Sequence, residues 1–257
     1  MRHLVIVSAG TGQPSTTRML ADRIAAGGIE TLGEMGVTAT VGAVEVAPLA
    51  VDVARASVTG VPSTELQAAI EQIAAADAVI AAAPVYKAGM SGLFKSFVDV
   101  LDDDLLIAKP VVLGATAGSS RHALVVDEQM RSLFAYMRAL TLPTSVFAAP
   151  EDWGAAELGE RVRRAATELA VVIQGQIEQG IADRAWSGYR HAFGGNATRA
   201  EQTAADADFD SPLMRLAAGG RTTAASGTPT SSISESPPSA GVRRSAPHLD
   251  APEPEPE

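Results

Sequence analysis

Between residues 4 and 149 the chain repeats one pattern: a short apolar run, a break of small residues, then a longer stretch with helical periodicity. The runs are Leu4–Val7, which ends in Ser8-Ala9-Gly10; Val37–Val46; Asp77–Ala83, broken by Pro84; Pro110–Thr116, ended by Gly118; and Thr144–Ala149, closed by Pro150. Runs of this length without polar alternation read as strands buried on both faces. Between them, Thr16 to Leu32 places Leu20, Ile24 and Leu32 near one helix face, and Gly33 and Gly36 suit its end. A loop with Pro48 and Gly60 follows, and Ser63 caps a helix carrying Leu66, Ile70 and Ile73. Ser91 or a neighbour opens a helix with Leu93, Phe94, Phe97, Val98 and Leu101 at core spacing. His122–Leu140 and Ala155 to about Ile181 complete the helices.

Strands that alternate with helices make a parallel sheet, because right-handed crossovers place helices on both faces. The expectation is an α/β chain with a flavodoxin-like, doubly wound, five-stranded parallel sheet, whose ligands sit at the carboxyl ends of the strands. Composition shifts after about Gly194 to Ala, Ser, Thr and Pro, and the chain ends Ala251-Pro252-Glu253-Pro254-Glu255-Pro256-Glu257. Such a segment buries too little apolar surface to offset its chain entropy. Residues 1–194 are therefore read as the folded domain and 195–257 as a disordered tail.

A hydrophobic share of 46% with only 4% aromatic residues suits helices on aliphatic strands. The absence of cysteine excludes disulfides, thiolate metal sites and thiol nucleophiles, and fits a cytoplasmic chain. The histidines have no metal-ligand spacing. A net charge of −10 without a basic cluster argues against nucleic acid. No run approaches the roughly 20 apolar residues of a membrane span, and the apolar run after Met1-Arg2-His3 is too short for a signal peptide.

Three loops follow strands one, three and four. The first, Ser8-Ala9-Gly10-Thr11-Gly12-Gln13-Pro14-Ser15-Thr16-Thr17-Arg18, offers five hydroxyls and two glycines where a strand feeds a helix. Free amides and hydroxyls there suit a phosphate, although a helix cap needs one such hydroxyl in any case. It matches neither a Walker loop nor a full dinucleotide fingerprint. The second, Pro84-Val85-Tyr86-Lys87-Ala88-Gly89-Met90-Ser91-Gly92, presents one ring and glycines that let backbone approach a flat ligand. An exposed loop tyrosine explains Tyr86 equally well. The third, Thr116-Ala117-Gly118-Ser119-Ser120-Arg121-His122, can line a ring edge or meet a nucleotide; a helix start also explains it.

These loops resemble the NADPH-dependent FMN reductase family of the flavodoxin-like superfamily over residues 3 to 182. Pro84-Val85-Tyr86-Lys87 is similar to its Pro-Glu-Tyr-Asn segment, and Gly89-Met90-Ser91-Gly92-Leu93-Phe94-Lys95 to the helix start that follows. Ser8-Ala9-Gly10, Pro14 to Arg18 and Ala117 to His122 resemble the branch partnered with luciferase-like monooxygenases. The resemblance implies that Ser8, Ser15, Thr16 and Thr17 hold the FMN phosphate, while Pro84, Val85, Tyr86 and Lys87, with Thr116, Ala117 and Gly118, hold the ring. It implies hydride transfer from NADPH or NADH to FMN with no catalytic side chain, a homodimer or tetramer, and delivery of reduced flavin to a monooxygenase. Two departures stand out: Gly12-Gln13 occupies the place of an arginine in the phosphate loop, leaving charge compensation to the helix end and Arg18, and Lys87 replaces the usual asparagine. A quinone or azo reductase with retained FMN, a flavodoxin-type electron carrier and a flavin-free interaction module are the alternative readings.

Overall fold

Strand β1 (Arg2–Ser8) shows how the chain divides its apolar residues. Successive side chains of a strand point to opposite faces, and here Leu4 and Ile6 enter one core while Val5 and Val7 enter another. The computed structural model describes residues 1–186; the expected tail, 195–257, lies outside the described residues. β2 (Ala39–Glu45), β3 (Ala78–Tyr86) and β5 (Pro110–Thr116) join β1 in parallel, in the order β2-β1-β3-β5. Helices α1 (Thr16–Glu34) and α6 (Ala156–Gln174) cover the face holding Leu4, Ile6, Ile80 and Val112. The other face is covered by α2 (Ala50–Thr59), α3 (Thr64–Ala74), α4 (Gly92–Asp99) and α5 (Arg131–Tyr136), with Phe94 and Phe134 at 6.2 Å between ring centroids. The flavodoxin-like doubly wound architecture is thus present, with helices on both faces.

The sheet has seven strands among the described residues, where five were expected. One addition is β4 (Gly89–Met90), which turns back antiparallel on the end of β3. The other arises because the fifth sheet position is split into β6 (Leu140–Thr141) and β7 (Val146–Ala148), both parallel to β5. Pro143 interrupts it: proline has no amide hydrogen for a ladder. Arg131 fills the gap, donating from Nη1 to the Leu142 carbonyl at 2.9 Å and from Nη2 to that of Pro143 at 3.2 Å.

Other boundaries differ for local reasons. The loop between Pro48 and Gly60 is largely α2, closed by Gly60 at φ +71°. Pro84 does not break β3. It pairs with Thr116 inside the sheet, and its carbonyl accepts from the Ser91 amide at 2.9 Å. The helix expected over 122–140 contains a π-helical turn at Val126–Met130 before α5. The last helix breaks at Gly175-Gln176, where Gln176 takes φ +49°, and resumes as α7 (Ile177–Ala185). Ser15, Ser63 and Ser91 cap α1, α3 and α4 through their hydroxyls. No described helix is long and apolar enough to cross a membrane.

Candidate functional site

Because β1, β3 and β5 are parallel neighbours, their carboxyl ends and the three loops converge on one edge. The strand order reverses between β1 and β3, the position where doubly wound sheets open a crevice. All eleven residues named from the sequence lie along this edge: Ser8, Ser15, Thr16, Thr17, Pro84, Val85, Tyr86, Lys87, Thr116, Ala117 and Gly118.

Ser8 ends β1 and is fully buried, and its Oγ has no hydrogen-bond partner among the described residues. A buried hydroxyl without a partner is costly, so it marks a place where a polar group belongs. Gly10 follows. A Cβ there would lie 1.9 Å from Ser15 Oγ, so only glycine lets the loop fold onto the cap. Ser15 Oγ accepts from the Arg18 amide at 3.1 Å, which leaves the earlier amides of α1 facing the edge. Thr16 is exposed. Thr17 is buried and shares a 2.7 Å hydroxyl bond with Thr116, tying the first loop to the end of β5.

Tyr86-Lys87-Ala88-Gly89 forms a two-residue hairpin, with Lys87 at φ +52° and Ala88 at φ +64°. That geometry is the type I′ turn, which favours Asn and Gly; the chain accepts two side chains in the left-handed region instead. Gln129, on the π-helical turn, clamps the hairpin: its Oε1 accepts from the Met90 amide at 3.1 Å and its Nε2 donates to the Ala88 carbonyl at 3.2 Å. Tyr86 is exposed, and its hydroxyl lies 3.3 Å from Thr11 Oγ1, joining the first and second loops. Beyond Thr116, the Ala117 amide donates to the Ala148 carbonyl at 3.2 Å, while Gly118 is open to solvent.

Charge at this edge is arranged differently from the simplest expectation. Arg18 is engaged by two carboxylates; it bonds Asp22 Oδ1 through Nε at 2.8 Å and Glu45 Oε1 through Nη1. Burial works against its charge, and the bonds to Asp22 and Glu45 outweigh that effect and raise its pKa. Glu151, after β7, accepts from the Ser120 amide at 3.3 Å. Its carboxyl is held below the usual carboxylate range, chiefly by its own backbone amide and then by Ser120. Glu45, Gln129 and Glu151 were not legible as site residues, since each reaches the edge by strand register or through a neighbouring element. No group of three metal-ligating side chains occurs among the described residues.

An unpaired buried hydroxyl, a helix start rich in free amides and an adjoining hairpin suit a phosphate joined to a flat ring, so the residues present fit FMN.

Comparison with known proteins agrees. Residues 1–154 match the family model of the NADPH-dependent FMN reductases. An "FMN reductase (NADPH)" from Pseudomonas aeruginosa is 35% identical over 182 residues, spanning 68% of this chain and 94% of its own. The "NADH-dependent FMN reductase SfnE" from Pseudomonas putida is 36% identical over 182 residues, spanning 67% and 92%. A solved oxidoreductase from Corynebacterium diphtheriae is 43% identical with a TM-score of 0.66, covering 68% of this chain and 98% of its own. The chain belongs to the NADPH-dependent FMN reductase family.

Proposed function

We propose that this chain is an NAD(P)H-dependent FMN reductase that binds flavin at the carboxyl edge of β1, β3 and β5. The observation that carries the reading is the Ser8 hydroxyl at the end of β1, buried and without a partner among the described residues. In this reading Ser8, Ser15, Thr16 and Thr17 hold the phosphate, with the amides of the first turn of α1 supplying further donors. Pro84, Val85, Tyr86 and Lys87 form one wall of the ring site, and Thr116, Ala117 and Gly118 the other. The chemistry that bound FMN supplies is acceptance of a hydride from a reduced nicotinamide, and that reactivity belongs to the two cofactors. The residues bind and orient both rings and keep water from the reacting faces; no acid or base side chain is called for.

NADPH and NADH both remain donors in this reading, because the relatives' names include each. Delivery of reduced flavin to a luciferase-like monooxygenase, a homodimer or tetramer, and a cytoplasmic setting belong to the same proposal, on the resemblance of the loop residues. The test is oxidation of NADPH and NADH by the purified chain, with and without free FMN. Oxidation that rises with added FMN is expected; tight FMN binding without nicotinamide oxidation would overturn the assignment in favour of an electron carrier.

A further inference from the structure

The register of β2 against β1 sets a carboxylate beside the phosphate cradle. Ser8 and Glu45 are paired residues, and the Val46 amide donates to the Ser8 carbonyl at 2.9 Å. Neighbouring strands lie about 5 Å apart and paired residues share a face. Glu45 therefore points to the same side as Ser8, the side on which α1 begins. Arg18 stands three residues past the Ser15 cap of α1. Side chains near a helix start lean back toward the N-terminus, which gives its arm reach toward the cradle. That arm is engaged by Glu45 and Asp22. One guanidinium faces two carboxylates, so this corner carries net negative charge where a phosphate must bind.

Resting on the FMN-reductase reading, we infer that Glu45 is an affinity-setting residue. By engaging the Arg18 guanidinium and adding a like charge, it keeps FMN weakly bound, so that flavin exchanges as a substrate. The arrangement explains how a phosphate loop with Gly12-Gln13 in place of an arginine can end in Arg18 and still bind phosphate weakly. Removing the Glu45 charge releases the Nη1 end of Arg18, with Nε still on Asp22 Oδ1, and that end can bond a phosphate. It also removes a repulsion that acts on the phosphate and leaves the ring untouched.

The experiment is titration of FMN and riboflavin into the full chain, read by flavin fluorescence, for wild type, Glu45→Gln, Glu45→Ala, Arg18→Gln and the Arg18→Gln/Glu45→Gln pair. Thermal unfolding in parallel keeps only folded variants. Glu45→Gln is expected to tighten FMN by about tenfold, the worth of one charge-assisted bond. Glu45→Ala should match or exceed it, and the riboflavin affinity should stay within about twofold, since riboflavin has no phosphate for Arg18 to bind. Arg18→Gln alone should weaken FMN, because it leaves Glu45 and Asp22 without their counter-charge beside the phosphate. In the double variant most of the gain should vanish. Unchanged FMN affinity in both Glu45 variants, or equal tightening of FMN and riboflavin, overturns the inference while the reductase reading stands. Loss of FMN binding by every form, with no FMN-dependent nicotinamide oxidation, overturns both.

Discussion

Replacing Gly10 with alanine tests whether the phosphate loop is built on space rather than on backbone freedom. Gly10 is not among the glycines at positive φ, which among the described residues are Gly36 and Gly60, so alanine suffers no dihedral penalty there. The penalty comes from the added Cβ, 1.9 Å from Ser15 Oγ and 3.1 Å from both Ser15 Cβ and Thr17 Cβ. The hydroxyl has to rotate away, which breaks its 3.1 Å bond from the Arg18 amide. Losing a serine cap costs about 1 kcal/mol. The two remaining tight contacts add about 1 kcal/mol of overpacking. Gly10→Ala should therefore destabilise the chain by about 2 kcal/mol in urea unfolding and weaken FMN by at least about tenfold. A double-mutant cycle isolates the cause. Ser15→Ala alone should cost about 1 kcal/mol, and adding Gly10→Ala should then cost only about 1 kcal/mol more, because no hydroxyl is left to displace. Strict additivity, or a Gly10→Ala cost below about 0.5 kcal/mol, would refute the steric argument.

Thr17→Val removes the buried 2.7 Å bond to Thr116 and should cost about 1–3 kcal/mol, with part of that recovered in Thr17→Val/Thr116→Val; additive costs in unfolding would refute the pairing. Ala88→Gly relieves a left-handed alanine at φ +64°, and the relief exceeds the entropy glycine adds to the unfolded chain. It should raise Tm by about 2–4 °C, as a gain near 1 kcal/mol does in a domain of this size; a lower Tm would speak against the strained turn. Glu151, with its folded pKa depressed, favours the folded loop above its unfolded pKa and loses that contribution as pH falls through the folded value. NMR titration should show its carboxyl titrating below an ordinary glutamate, with the Ser120 amide following the same transition and the transition absent in Glu151→Gln. A Glu151 carboxyl titrating at or above the ordinary range would contradict the bond.

Much of the candidate site was legible because it is made of local signals. Ser8-Ala9-Gly10 ends a strand, Ser15 starts a helix, and Thr116-Ala117-Gly118 ends another strand, so each loop can be found from its own neighbours. What escaped depends on residues far apart in the chain. Gln129 reaches the hairpin across 39 and 41 positions and Glu45 reaches Arg18 across 27, and no periodicity encodes such pairings. Pro84 misled for the reverse reason. It lacks a donor, which read alone suggests a break, yet the strand continues because its carbonyl pairs with Ser91.

The sequence by itself determined the class of fold. Apolar runs too short and uniform for anything but buried strands, spaced by helix-length segments, allow few arrangements other than a doubly wound parallel sheet. It also singled out the candidate loops, because hydroxyls and glycines cluster where strands feed helices. Tertiary structure alone decided how these loops are held and charged. The register that sets Glu45 beside Ser8, the split of the fifth sheet position at Pro143 and the Gln129 clamp are all non-local. Each is settled by which distant groups can satisfy one another's hydrogen bonds and charges once the two cores are packed.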